Sequence, residues 1–224
     1  MSHMSESQHP YFFRNGGTPR LVKSIGSAVC FSFFVLHFSL LLSSCKEAEE
    51  VGEYDNWQAR CEAYIDSIAR VASSNADGQW KVIRSFTLAE KDVDGKTAVW
   101  DTDDYVYCHV EQKGNGALLP LFTDTVRVNY RGRLMPTHQH PEGYIFDQSF
   151  KGDVNPKFNI PTKFEVGALT VGVSSAVQQM YVGDVWRIYV PAALGYGSSD
   201  RSSSGIPAYS ALIFDMNLVE IIKP

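Results

Sequence analysis

The sequence predicts an α+β protein in which strands wrap around one short helix as a half-barrel, preceded by a small region of one helix and two strands. Apolar and polar side chains alternate over residues 125–134, 186–190 and 211–221, as they do in half-buried strands. The short helix is predicted to begin at Ser174 or Ser175, because serine followed three residues later by glutamine has the spacing of a capping box.

The preceding region, residues 55–116, opens with a predicted helix over about 57–72. Its apolar side chains recur with the period of one helix face. Strand-like runs follow at 81–86 and 105–112. No catalytic constellation is visible in this region, so its aromatic stripe is interpreted as core or as a docking surface through which the chain could self-associate. The members of the stripe are Trp57, Cys61, Tyr64, Ile65, Ile68 and Val71.

The first 44 residues have the layout of a secretory signal and are left out of the fold prediction. Three basic residues precede an apolar run over 28–42, which is shorter than the ~20 residues that a membrane-spanning helix needs. Residues 42–45, Leu-Ser-Ser-Cys, resemble a bacterial lipobox, and this resemblance implies a signal peptide over 1–44 and a lipid on Cys45. An uncleaved anchor helix is the alternative.

Residues 45–54 are predicted to comprise the lipidated Cys45 and a tether. Its run Lys-Glu-Ala-Glu-Glu at 46–50 is interpreted as a solvated linker, with a signal for export to the cell surface as the alternative. The predicted location is therefore the cell envelope, as an outer-membrane lipoprotein that faces the periplasm or the cell surface.

The charge balance argues against two classes of partner. The chain has 20 Lys and Arg and 25 Asp and Glu, of which three basic residues and one acidic residue precede residue 45. The remaining 17 basic and 24 acidic residues give a formal net charge of −7. Nucleic acid binding needs a basic stripe, and electrostatic docking onto anionic lipid needs basic clusters.

Cysteine usage leaves one question open. Cys30 lies in the signal and Cys45 is the predicted anchor, which leaves Cys61 and Cys108. An exported compartment permits a disulfide, but the sequence cannot place the two Cα atoms within bonding range. Two separate buried thiols are the favoured interpretation.

Five blocks in the last hundred residues resemble FKBP-type peptidyl-prolyl cis-trans isomerase domains, and they occur in the family's order. No single block is specific, but the ordered set identifies residues 117–224 as a member of this family, in the lipoprotein form of the bacterial envelope. The blocks are VNYRGRL at 128–134, FDQS at 146–149, MYVGDVWR at 180–187, LGYG at 194–197, and GIP with LIFD at 205–207 and 212–215.

This resemblance implies a twisted antiparallel sheet curled around the helix, with an apolar pocket between them. From the residues alone, the aromatic members could equally be strand core, and the polar members turn residues. Carried over by position, the catalytic residues are Tyr130, Phe146, Asp147, Tyr196 and Phe214, and the substrate-binding residues are Thr170 (through its N–H), Val173 and Ile206.

The implied activity is isomerisation of X–Pro bonds in exported proteins. Rotation about a peptide bond faces a barrier of ~18–20 kcal/mol, and X–Pro is the bond at which both isomers matter. No covalent bond breaks, so the reaction requires no nucleophile, metal or cofactor. A dry apolar pocket favours the twisted amide over the planar one. His138 and His140, two residues apart, are interpreted as part of a solvated loop rather than as metal ligands.

Three positions depart from the family pattern. Val173 stands where a pocket-floor tryptophan is usual, and valine buries much less area than an indole. Thr162 replaces a frequent aromatic, and Gly195 replaces an alanine. The predicted activity is therefore weak, and the alternative is a non-catalytic peptide-binding or chaperone lipoprotein on the same fold. A third hypothesis is an interaction lipoprotein that binds a partner through residues 46–116.

Overall fold

The structure is a computed structural model that describes residues 52–88, 99–152 and 159–224. Val51–Pro224 form one compact unit. The predicted signal peptide, Cys45 and most of the tether lie outside the described residues. In the described part of the chain, no helix combines the length and the apolar composition that crossing a bilayer requires.

Two α-helices, seven strands and four short 3-10 helices make up the described fold. The α-helices are α1 (Trp57–Ser74) and α2 (Val171–Val177). The strands are β1 (Trp80–Arg84), β2 (Tyr105–Gln112), β3 (Thr125–Leu134), β4 (Ile145–Gln148), β5 (Thr162–Glu165), β6 (Val185–Val190) and β7 (Leu212–Ile222).

The strands form one antiparallel sheet in the order β1-β2-β6-β7-β3-β4, with β5 paired to β3. The longest pairing joins β3 to β7, from Thr125 opposite Ile222 to Leu134 opposite Leu212. Helix α2 packs closely on one face, since a Cβ on Gly172 would lie 2.5 Å from Val190 Cγ1. The predicted fold class, an antiparallel half-barrel wrapped on a short helix, is confirmed.

Helix α2 begins earlier than predicted. Thr170 is its N-cap, so Ser174 and Ser175 lie inside the helix rather than at its start. The Ser175 hydroxyl donates to the Val171 carbonyl at 2.8 Å. The capping-box prediction was therefore wrong. A serine inside a helix can donate to a carbonyl of the preceding turn, so the Ser-x-x-Gln spacing alone does not identify the first residue of a helix.

The N-terminal region shares this sheet. Strand β2 pairs with β6, where Tyr107 lies opposite Tyr189. Tyr189 points away from α2, because side chains alternate along a strand and Val190 faces α2. On that opposite face Tyr189 contacts Tyr64 of α1, with ring centroids 6.3 Å apart. The aromatic stripe of α1 therefore contributes to the core; self-association through residues 55–116, and the division at 116/117, stay predictions.

The two remaining cysteines are free and buried. Cys61 lies on α1, whereas Cys108 points to the α2 side of the sheet, since its neighbour Tyr107 shares a face with Tyr189. Burial raises the pKa of the Cys61 thiol to about 11 and raises the pKa of Cys108 as well. Both are protonated, separate thiols, as the sequence favoured.

A largely buried ion cluster joins β3, β6 and β7. The Asp215 carboxylate accepts hydrogen bonds from Arg133 and, at 2.6 Å, from Arg187 Nε. The side-chain exposures are 10% for Arg133, 20% for Asp215 and 39% for Arg187. One carboxylate thus balances two cations, of which Arg133 has little access to water.

Candidate active site

Aromatic side chains from four strands, β3, β4, β5 and β7, meet in two ring pairs. The rings of Phe146 and Phe214 contact edge to face, with centroids 5.7 Å apart. Tyr130 contacts Phe164 in the same manner at 5.4 Å. Tyr130 and Phe214 are each 8% exposed, so both rings are fixed by core packing and still reach the surface. Tyr130, Phe146 and Phe214 are called the walls below.

Gly132 makes this arrangement of rings possible. A Cβ at this position would lie 2.5 Å from Phe146 Cε2 and 3.0 Å from Phe214 Cε1. Both distances are shorter than carbon atoms tolerate without movement. Gly132 lies within one of the motif blocks, but its steric role could not be predicted from the sequence, because the two rings that it accommodates lie on other strands.

Asp147 is held by Tyr130. The Tyr130 hydroxyl donates to Asp147 Oδ2 at 2.6 Å. Burial is the main cause that raises the pKa of Tyr130, and the hydrogen bond to Asp147 raises it further. The phenol therefore stays protonated and fixes the carboxylate at the edge of the aromatic walls.

Thr170 presents unpaired polar groups at the start of α2. Its backbone is extended (φ −58°, ψ 151°), and its N–H donates no hydrogen bond to any residue that the structure describes. Its Oγ1 is also buried without a partner there. The sequence predicted a role for the N–H but not for the hydroxyl, because no local pattern identifies an unpaired buried group.

Val173 and Ile206 are both 3% exposed and belong to the same hydrophobic cluster as Tyr130 and Phe214. Ile206 is held by Arg201, whose N–H donates to the Ile206 carbonyl at 2.9 Å. The predicted floor and wall residues therefore belong to the hydrophobic core.

Tyr196 packs against this cluster from the loop that follows β6. Among the described residues its hydroxyl makes no hydrogen bond. The Arg201 guanidinium lies 4.8 Å from the centre of its ring, a cation–π contact that the sequence analysis missed because Arg201 falls between the motif blocks. Six of the eight predicted pocket residues thus belong to or pack against the core, and Asp147 is bonded to one of them. The roles of all eight in binding and turnover stay predictions.

The antiparallel sheet wrapped on α2, with the aromatic ring pairs described above, forms an FKBP-like half-barrel. Residues 120–219 match the family model described as FKBP-type peptidyl-prolyl cis-trans isomerase. Residues 120–219, slightly less than half of the chain, are thus similar to that family.

Relatives of known name agree with this assignment. The chain is 34% identical over 128 residues to the FKBP-type 22 kDa peptidyl-prolyl cis-trans isomerase of Escherichia coli (strain K12), covering 57% of this chain and 55% of the relative. It is 33% identical over 141 residues to the peptidyl-prolyl cis-trans isomerase Mip of Coxiella burnetii, covering 62% and 54%. It is 35% identical over 111 residues to the outer membrane protein MIP of Legionella longbeachae, covering 49% and 41%. The matches span about half the length of these relatives.

Proposed function

We propose that this protein is a peptidyl-prolyl cis-trans isomerase that binds X–Pro segments of exported polypeptides. The observation that carries the proposal is the group of aromatic rings that Tyr130, Phe146 and Phe214 contribute from three strands. Tyr196 packs against the same core and Thr170 precedes α2, and neither the Tyr196 hydroxyl nor the Thr170 N–H has a hydrogen-bond partner among the described residues. A proline ring is apolar and can pack on the aromatic rings. The carbonyls beside it accept hydrogen bonds and can pair with the two donors.

The proposed mechanism is preferential binding of the twisted amide. A peptide bond that has rotated out of plane has lost resonance, so its carbonyl is less polar than in the planar form. The walls formed by Tyr130, Phe146 and Phe214 solvate this state better than water does. The Thr170 N–H and the Tyr196 hydroxyl orient the flanking carbonyls, and Asp147, fixed by Tyr130, borders the walls. No covalent intermediate is required.

A non-catalytic peptide-binding module is the second candidate, and Val173 favours it. The side chain of valine covers less of a proline ring than an indole would. The pocket floor therefore holds the ring less firmly, and selectivity for the twisted state falls with it. Peptide affinity without turnover would select this candidate.

Turnover is the first test. Residues 46–224, which include the whole compact unit, are expected to accelerate cis-to-trans isomerisation of an X–Pro peptide above the uncatalysed rate. Tyr196→Phe is expected to lower kcat/KM about fivefold, the factor that corresponds to one lost hydrogen bond. Tyr181→Phe is the matched control, because Tyr181 is also partly exposed (40%) but is not a predicted pocket residue. Equal activity of both variants, or no acceleration by the folded wild type, would contradict the proposal.

We also propose that Cys45 is lipidated and that the chain is an outer-membrane lipoprotein. The support is the run of basic, apolar and small residues that ends in Leu-Ser-Ser-Cys at 42–45. One relative also has the name "outer membrane protein". In a Gram-negative host, the full chain is expected in the membrane fraction, and Cys45→Ser is expected to lose the acyl mass and leave that fraction. Membrane association that is unchanged in Cys45→Ser, with no acyl mass on the wild type, would exclude lipidation.

A further inference from the structure

Residues 53–61, here called the N-terminal segment, contact two loops beside the candidate pocket. One is the β3–β4 loop, residues 135–144, which leads directly into Phe146. The other is the Pro207 loop, residues 205–211, which contains Ile206 and leads into Phe214. The segment belongs to a part of the chain in which the sequence analysis found no catalytic constellation.

The central contact is a dry hydrogen-bond relay from Trp57. Its Nε1 donates to Ser210 Oγ at 2.9 Å, and Ser210 Oγ donates to the Pro207 carbonyl at 2.6 Å. Trp57 is 5% exposed and Ser210 is 4% exposed. With so little water present, each of these groups depends on the other to satisfy its hydrogen bond.

The Pro207 loop needs such a contact because its turn is strained. Tyr209 has φ +59°, a left-handed conformation that is unfavourable for an aromatic residue. Its N–H donates to the Gly197 carbonyl at 2.8 Å. A cavity of about 210 Å³, lined partly by Cys61, Tyr209 and Ala211, lies beside the turn. Strained turns persist only where their surroundings determine them, so the hydrogen bonds made to this loop are expected to matter for its conformation.

The N-terminal segment also holds the β3–β4 loop. The Thr137 hydroxyl donates to Glu53 Oε1 at 2.7 Å, while Arg60 donates to the Glu53 carbonyl at 2.7 Å. The two loops meet where Gly205 lies against the Tyr144 ring, since a Cβ on Gly205 would be 2.6 Å from Tyr144 Cε1. One short segment thus links both loops on either side of the pocket walls.

We propose that the N-terminal segment sets the geometry of the isomerase pocket, with Trp57 as a positioning residue that acts through Ser210. Among the described ring pairs Trp57 contacts Tyr54 and none of the wall residues, and its bond to Ser210 holds the loop from which Ile206 and Phe214 extend. This inference rests on the proposed isomerase function. It also means that the catalytic unit extends beyond residues 117–224 to include residues 53–61.

The test is Trp57→Phe in residues 46–224, which removes the indole donor and keeps an aromatic ring. We expect kcat/KM for an X–Pro peptide to fall about fivefold, the factor for one buried hydrogen bond. Hydrogen exchange at the Tyr209 amide is expected to accelerate by a similar factor. Ser210→Ala is expected to do the same, and the double variant to lose no more than either single variant, because both changes break one relay.

Trp80→Phe is the matched control. Trp80 stacks on Tyr189, with ring centroids 5.8 Å apart, on the face of the sheet that α1 covers. If it lowers activity and loosens the Tyr209 amide as much as Trp57→Phe does, the effect is general destabilisation and the proposal is overturned. Unchanged kcat/KM and unchanged exchange in Trp57→Phe would overturn it as well. If the wild type shows no turnover, the isomerase function fails, and Tyr209 exchange together with peptide affinity still decides whether Trp57 positions the loop.

Discussion

Replacing Gly132 by alanine is expected to lower kcat/KM for an X–Pro peptide about hundredfold while the protein stays folded. The added Cβ would lie 2.5 Å from Phe146 and 3.0 Å from Phe214, so one or both rings must move by about 1 Å. Misplacement of that size costs on the order of a hundredfold in rate when binding geometry determines the barrier. The measurement is isomerisation of a proline peptide, with circular dichroism to confirm that the variant is folded.

A second substitution separates ring displacement from general damage. Phe146→Leu removes the ring that the new methyl group would meet first, so Gly132→Ala should cost little further activity in that background. A strongly additive loss in the double variant would contradict the steric explanation. A folded Gly132→Ala protein with kcat/KM within about twofold of wild type would also contradict the steric explanation, because activity would then not depend on the exact positions of the two rings.

Asp215→Ala is expected to cause the largest loss of stability, about 3–5 kcal/mol in the free energy of unfolding. The substitution leaves two arginines without their shared carboxylate. The cost arises mainly from Arg133, whose side chain is 10% exposed, and less from Arg187, which is 39% exposed and can be solvated. Denaturant unfolding measures the change. Asp215→Asn should lose less, because it keeps an acceptor oxygen for Arg133.

The control is an ion pair on the same long β3–β7 pairing. Arg127 Nε lies 3.2 Å from Glu220 Oε2, and both side chains are about half exposed (48% and 53%). Glu220→Ala should cost less than about 1 kcal/mol, as exposed pairs usually do. If Asp215→Ala costs no more than Glu220→Ala, the interior cluster has no special role in holding β3, β6 and β7 together.

The pocket and the N-terminal segment have a common consequence for function. The walls come from β3, β4 and β7, but the loops before β4 and β7 are held by residues 53–61. Any change that loosens this segment is therefore expected to act on the pocket without touching it. On the isomerase proposal, we therefore expect residues 117–224 alone to show lower turnover than residues 46–224.

The strands could be predicted closely from local patterns. Strands β2 and β3 have the predicted bounds, β6 begins one residue earlier than predicted, and β7 begins and ends one residue later. Helix α1 begins at Trp57 as predicted and continues to Ser74. Strand β1 ends earlier than expected, at Arg84, where the Ser85 N–H turns to the Asp104 carbonyl. Alternation and helical period report which face is buried, and that information is contained within a few neighbouring residues.

The sequence by itself determined the fold class and most strand bounds, and through motif order it predicted the pocket residues. Tertiary structure decided that β1 and β2 extend the same sheet, that Gly132 makes room for two rings, and that Thr170 Oγ1 is left unpaired. It also joined Trp57 to Ser210 across 153 residues. Such contacts have no local period, because they depend on how whole elements pack, and packing is set by the summed burial of distant side chains.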